Sequence, residues 1–200
     1  MTFILPQNFY ARDALIVARE LLGKIIVHED IILRITETEA YRWPHDSANH
    51  CYRGETPRNS AMFGPPGHLY VYLCYGLHHM LNIVSNNEHE GAAVLIRSCE
   101  VNRGHETILR RRGLVKNPAL LTGPGKVAKA LGIDRSYNGH ALYQDAGLQV
   151  YNGPKVKDVL VGPRVGINYA ETKDRLAPYR FADAKSVCLS EKRYLEYAIK

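Results

Sequence analysis

Ile31-Ile32-Leu33-Arg34-Ile35-Thr36-Glu37-Thr38-Glu39-Ala40-Tyr41 is the stretch on which the fold turns. Its first half is rich in β-branched and apolar residues, the composition of a strand that meets a core. Residues two apart share a face in a regular strand, so Ile31, Leu33 and Ile35 lie on one side and Glu37, Glu39 and Tyr41 continue that side. A face that begins apolar and ends in acids describes a strand running from the core into a cleft. Carboxylates beside a ring can activate water there; they fit equally well a wet strand end paired with arginine. Just upstream, Lys24 to His28 has strand composition and Glu29-Asp30 forms a turn, so the two strands make a hairpin.

Working outward, Ala14, Val17, Ala18, Leu21 and Leu22 have helical spacing within Ala11 to Leu22, and Gly23 is the stop. Arg42 to Pro66 carries four prolines, many polar residues and no period, which predicts a long functional loop. His68 to Tyr75 and Met80 to Ser85 flank Gly76 as a protruding hairpin, and Ala92 to Val101 is a further strand. Glu106 to Arg112 is a short basic helix, and Pro124 to Leu131 a second helix with proline near its start and Gly132 at its end. Lys155 to Val161 and Arg164 to Tyr169 are expected as short strands, and Leu189 to Ile199 as a closing helix. There is no internal repeat or linker, so one domain over residues 1–200 is the economical organisation.

The thirteen tyrosines outnumber the four Phe and the one Trp. Tyrosine joins an apolar ring to a polar tip and suits half-wet binding surfaces as well as cores. Tyr70 and Tyr72 share a face of the expected hairpin, whereas Tyr75 turns the other way beside Gly76, so one ring can wall a pocket while another stands at a tip. Cross-strand packing of tyrosines accounts for the same pattern. Arg97 sits among Val94, Leu95 and Ile96 and needs a partner; a carboxylate such as Glu39 would serve, as a structural ion pair or as a joint holder of a water. His45, His50, His78 and His79 do not have zinc-site spacing, and Gly123-Pro124-Gly125-Lys126 is not a P-loop, so no metal or cofactor is expected. The four cysteines form no C-x-x-C pair and read as isolated reduced thiols of a cytosolic protein. A net charge of +6 leans toward a polyanionic partner. Neither a signal peptide nor a membrane span is expected.

These residues together resemble the alkyladenine (3-methyladenine, N-methylpurine) DNA glycosylases. The resemblance is carried by Ile35 to Tyr41, His50, Thr56-Pro57-Arg58-Asn59, Met62-Phe63, Gly67 with Leu69-Tyr70-Val71-Tyr72, Tyr75-Gly76, Asn82-Ile83, Gly91-Ala92, Val94-Leu95, Arg97 and Pro163-Arg164-Val165-Gly166. It runs from the N-terminal helix to about Phe181. It implies a single mixed α/β (α+β) domain, with a curved, mainly antiparallel sheet surrounded by helices and a protruding DNA-inserting hairpin. It also implies a monofunctional glycosylase that flips alkylated or deaminated purines from duplex DNA and hydrolyses the N-glycosidic bond, initiating base excision repair.

In that reading Glu39 is the general base, and Arg97 helps hold the water together with a backbone carbonyl near Val165. Tyr41 and Tyr72 sandwich the flipped base, His50 completes the wall, and the backbone of Ala48 and His50 reads the base edge. Asn82 disfavours guanine from the pocket floor and Tyr75 wedges into the minor groove. The partner would be double-stranded DNA, and the protein a cytoplasmic, nucleoid-associated monomer of bacterial type. The chain departs from the mammalian pattern in a His50–Thr56 loop one residue shorter and in lacking a Trp after Tyr169. The alternative is a non-catalytic lesion- or nucleic-acid-binding protein on the same scaffold, which would keep Tyr75 and the basic surface and could dispense with Glu39.

Overall fold

The structure, a computed structural model, describes residues 3–113 and 119–198. Two N-terminal helices, α1 (Gln7–Tyr10) and α2 (Ala14–Leu21), precede the sheet. The Asp13 side chain caps α2 by accepting from the Leu15 N–H at 2.8 Å, and Ala14, Val17, Ala18 and Leu21 are its buried face. The strands are β1 (Ile25–His28), β2 (Ile31–Tyr41), β3 (Leu69–Cys74), β4 (His78–Val84), β5 (Ala93–Arg103), β6 (Gln149–Tyr151), β7 (Val159–Gly162), β8 (Arg180–Asp183) and β9 (Glu196–Tyr197). Helices α3 (His105–Arg112), α4 (Pro124–Leu131) and α5 (Thr172–Leu176) complete the fold. All strand pairs are antiparallel, in the order β3-β4-β5-β2-β8-β7-β9. This is the mixed α/β architecture with an antiparallel sheet that the resemblance implies.

β2 is the axis of the sheet. One edge pairs with β5 along most of its length, while the other is shared, β1 taking Ile31 to Arg34 and β8 taking Glu37 to Glu39. One sheet face packs on α2 and α4 through Leu33, Ile35, Val71, Leu81, Val94 and Ile96, among others. On the opposite face Tyr70, Val84 and Ala93 meet Cys51, Met62 and Phe63 of the loop after β2.

That loop has no regular strand or α-helix, so its backbone groups need other partners. Two buried asparagines supply many of them. Asn49 Nδ2 donates to the Arg42 and Gly91 carbonyls and its Oδ1 accepts from the Cys51 N–H. Asn59 Nδ2 donates to the carbonyls of His50 and Gly54, and its Oδ1 accepts from the Thr56 N–H.

Several expectations need correction. Ile31, Leu33 and Ile35 do not share a face with Glu37, Glu39 and Tyr41. The β2–β5 register skips Thr36 on one strand and Arg97 on the other, pairing Ile35 with Cys99, Glu37 with Ser98 and Thr38 with Ile96. An extra residue on each strand shifts the side-chain alternation by one. Ile31, Leu33, Ile35 and Ala40 therefore belong to the helix-side core, while Glu37 and Glu39 turn to the opposite side with Arg97 and Ser98. Arg164 to Tyr169 is a turn rather than a strand, and the strand expected over Lys155 to Val161 is shorter and begins at Val159.

The expected closing helix over Leu189 to Ile199 is, within its described residues, a short 3₁₀ turn at Lys192–Tyr194 followed by β9. Glu191 has φ 43°, which no right-handed helix passes through. The backbone there is also committed elsewhere: the Ser190 N–H donates to Glu37, and the Ser190 and Glu191 carbonyls accept from Arg180. β6, β8 and α5, each five residues or fewer, had no period long enough to announce them.

Gly91 marks the closest approach of loop to sheet. A Cβ built there would lie 2.7 Å from Cys51 Cβ and 2.8 Å from Phe63 Cζ. Gly91→Ala is expected to destabilise the protein by about 1–3 kcal/mol, the ordinary cost of overpacking. Urea denaturation checks this; a variant as stable as the parent would show that the loop gives way freely.

Candidate active site

The two bulges place a four-charge cluster at the centre of the sheet's second face. Glu37 is fully buried and accepts from Arg97 Nε (3.3 Å), Arg180 Nη1 (3.2 Å), Ser98 Oγ (2.7 Å), the Ser190 N–H (2.7 Å) and Ser190 Oγ (3.0 Å). Its lone pairs are spent on structure. Glu39, equally buried, has three partners: the Val165 N–H (2.7 Å), Tyr41 Oη (3.0 Å) and Arg97 Nη1 (3.2 Å). Arg97 thus lies between two carboxylates. Burial works against its charge, but Glu39 and then Glu37 more than offset this and raise its pKa. Arg97 is ion-paired with Glu39, the partner the sequence offered it, and with Glu37 as well, so one side chain joins a structural acid to a second acid near a pocket. Val165 enters the cluster through its N–H, whereas the resemblance assigned the role to a carbonyl nearby.

Tyr41 connects this cluster to a narrow slot. Burial, followed by the nearby Glu39 charge, pushes its pKa far up, so the phenol stays protonated and donates to Glu39. The slot is lined by Tyr41, Ala48, Asn49, His50, Met62, Tyr70, Tyr72, Asn82 and Tyr169. The five residues expected to form a pocket, from the loop and three strands, therefore meet in one place. Its open space is about 30 Å³. Glu39 does not line it and sits behind Tyr41.

The walls hold one another. Tyr72 stacks on Tyr70 with centroids 5.4 Å apart, and His50 meets the Tyr72 ring edge-on at 4.6 Å. His50 Nδ1 pairs with the Tyr70 hydroxyl at 3.0 Å. Burial, then the positive charge of Arg58, lowers the His50 pKa, so the imidazole is neutral near pH 7. Asn82 Nδ2 is tied to the Tyr70 and Met80 carbonyls, which fixes the amide in the lining of the slot.

Arg164, Asp46 and Tyr169 contribute features that sequence reasoning missed. Arg164 Nη1 and Nη2 grip Asp46 in a bidentate pair (2.5 and 2.7 Å), Nη1 also reaches the Ala40 carbonyl, and the guanidinium lies 4.7 Å from the Tyr41 centroid. Arg164 stood in the quoted Pro163–Gly166 motif without a role of its own. Nothing in the sequence linked it to Asp46, which is 118 positions away. Tyr169 borders the slot and donates its hydroxyl to the Ala48 carbonyl at 2.8 Å, occupying an edge expected to read a base.

Tyr75 is apart from the slot, at the β3–β4 tip. The Leu77 N–H closes the turn on the Cys74 carbonyl, with φ 50° at Tyr75 and 69° at Gly76. Positive φ at both central residues matches the twist of a hairpin, but at a tyrosine it costs on the order of 1–3 kcal/mol. The ring is 89% exposed, so no core packing compensates.

A sheet carrying buried acids behind an aromatic slot, with a strained tyrosine at a hairpin tip, is an arrangement for chemistry on a flat ligand. The comparisons identify the class. The family model described as methylpurine-DNA glycosylase matches residues 8–187. An Arabidopsis thaliana protein named DNA-3-methyladenine glycosylase is 52% identical over 189 residues, covering 94% of this chain and 74% of its own. A Nitrosococcus oceani protein provisionally named 3-methyladenine DNA glycosylase is 56% identical over 182 residues, 91% of this chain and 90% of its own. A Methanocella arvoryzae protein with the same provisional name is 43% identical over 194 residues, 94% and 96% of the two chains. The chain belongs to the methylpurine-DNA glycosylase family, hydrolases acting on N-glycosyl bonds.

Asp46→Ala would leave Arg164 charged, buried and without its bidentate partner. The expected loss is about 3–5 kcal/mol of stability, read as a fall in the denaturation midpoint. A loss under about 1 kcal/mol, the range of an exposed pair, would mean that water reaches Arg164.

Proposed function

We propose that this protein flips alkylated or deaminated purines out of duplex DNA and hydrolyses their N-glycosidic bond, with Glu39 as general base. The observation that carries this reading is Tyr41, whose ring walls the slot while its hydroxyl touches Glu39. A base seated in the slot would bring its sugar toward the carboxylate behind it. Water attacks C1′, forming the C1′–O bond as the C1′–N9 bond breaks; Glu39 takes the proton from water and the bond pair leaves with the purine. Arg97, held between Glu37 and Glu39, fixes the carboxylate, and Glu39 also offsets oxocarbenium charge at the sugar.

The slot suits the substrate. Alkylation at N3 or N7 puts positive charge on a purine, and a cation gains roughly 0.5–2 kcal/mol against electron-rich rings. Tyr41 and Tyr72 are such rings, and a neutral His50 adds no opposing charge. Such a purine is already a good leaving group. Seating it requires Tyr169 to release the Ala48 carbonyl, which frees the edge that would read the base together with the His50 backbone. Asn82 at the floor disfavours the 2-amino group of guanine. Extruding a base costs a few kcal/mol, and the exposed Tyr75 ring offsets part of this by filling the vacated stack.

Wild type is expected to release hypoxanthine or ethenoadenine from a duplex oligonucleotide, or methylated bases from alkylated DNA. Glu39→Gln should bind the same DNA and release base at least about 10²-fold more slowly, the usual contribution of a general base. Release by Glu39→Gln at the parent rate would remove Glu39 from the mechanism. A second test separates the wedge from the fold. Tyr75→Gly relieves positive-φ strain and should leave stability equal or higher, while excision from a paired duplex falls more than excision from a mismatched site. Equal losses on both substrates would argue against wedging.

A further inference from the structure

We propose that Ser190 is a positioning residue for the catalytic centre, its hydroxyl locking Arg97 so that Nη1 is aimed at Glu39. The inference rests on Glu39 being the general base. Ser190 lies beyond the matched residues 8–187 of the family model.

A guanidinium is planar and rigid, so holding one edge fixes the direction of the other. Ser190 Oγ accepts from Arg97 Nη2 at 2.9 Å and from Nε at 3.3 Å, gripping the edge opposite Nη1. Nη1 is left facing Glu39 at 3.2 Å. The same hydroxyl donates to Glu37 at 3.0 Å, which uses its single proton and turns its lone pairs toward Arg97. Ser190 is held in turn: its N–H donates to Glu37 and its carbonyl accepts from Arg180. No other described side chain accepts from Nη2. Without the hydroxyl, the Glu37–Nε contact at 3.3 Å is the remaining side-chain hold on the guanidinium besides Glu39 itself, among the described residues. The acid it serves is faced by Arg97 from β5, Tyr41 from β2 itself and the Val165 amide from the turn after β7, with Arg164 beyond Tyr41, and the phenols of Tyr72 on β3 and Tyr169 are also within its field. Arg97 is the Glu39 partner whose aim a third residue controls.

The test is single-turnover base release at saturating enzyme, with DNA affinity and denaturation midpoints measured in parallel, on wild type, Ser190→Ala, Ser190→Thr and Glu39→Gln. Ser190→Ala is expected to release base about 10- to 100-fold more slowly, the scale on which misplacement by about 1 Å acts, with DNA affinity unchanged. Its pH–rate profile should shift as well, because the Arg97 charge held 3.2 Å from the reacting carboxylate is displaced. Ser190→Thr keeps the hydroxyl and should restore both rate and profile.

Parent-like rate and profile in Ser190→Ala, with Glu39→Gln inactive, would overturn the positioning role and leave Ser190 as an anchor for the C-terminal segment. A fully active Glu39→Gln would instead overturn the reading on which the proposal rests. Should Ser190→Ala fail to fold, Ser190→Cys, close in size but a weaker acceptor, carries the same expectation of a slower rate and a shifted profile, and parent-like behaviour in it would equally overturn the role.

Discussion

The Arg97 guanidinium, buried between Glu37 and Glu39, is the interaction on which the rest of the structure depends. Burying charge is tolerated only where opposite charge and hydrogen bonds replace water. Here two carboxylates face two guanidinium groups, Arg97 and Arg180, and hydroxyls and amides around them satisfy most of what remains, leaving Arg180 Nε buried without a hydrogen-bond partner among the described residues. The cluster draws on β2, β5, β8 and the segment before β9, so it also joins the sheet to the C-terminal chain. A helix after Leu189 would commit to its own ladder the Ser190 and Glu191 carbonyls that accept from Arg180. The charge cluster thus sets the local backbone as well as the site.

A division of labour follows between the two acids. Glu37 makes five hydrogen bonds and is a structural anchor. Glu39 has fewer partners and lies behind the slot. Two like residues two positions apart on the same face acquire different roles because their neighbours differ. The bulges make this possible: without them Glu37 and Glu39 would face the helices, where α2 and α4 offer apolar surface. Around the slot the same logic recurs, with walls held by their neighbours: Tyr70 stacked on Tyr72, Arg164 over Tyr41, and the Tyr70 and Met80 carbonyls against Asn82.

Much of this was legible in the chain. The hairpins, α2, α4 and the strand of β5 announced themselves through period and punctuation, because each is long enough for its pattern to repeat. The slot residues Tyr41, Ala48, His50, Tyr72 and Asn82 came from the family resemblance, and the geometry brings them together. Short elements were not legible: β8 buries Arg180 completely, which no apolar pattern announces. The strand expected at Arg164–Tyr169 failed because Arg164 is held sideways by Asp46 and the chain turns to bring the Val165 amide to Glu39.

What the sequence determined by itself is the inventory: an acid-ended strand, a tyrosine hairpin, an arginine among apolar neighbours and a family pattern that orders them. These are local, and residue type with spacing is enough to state them. Only the tertiary structure decided which way the acids face, which acid is spent on structure, and that Asp46, Arg164, Tyr169 and Ser190 belong to the site. The reason is physical. A bulge is a one-residue offset between two strands far apart in sequence, and a buried ion pair is a contact between positions with no shared period. Neither leaves a mark on any single stretch of chain.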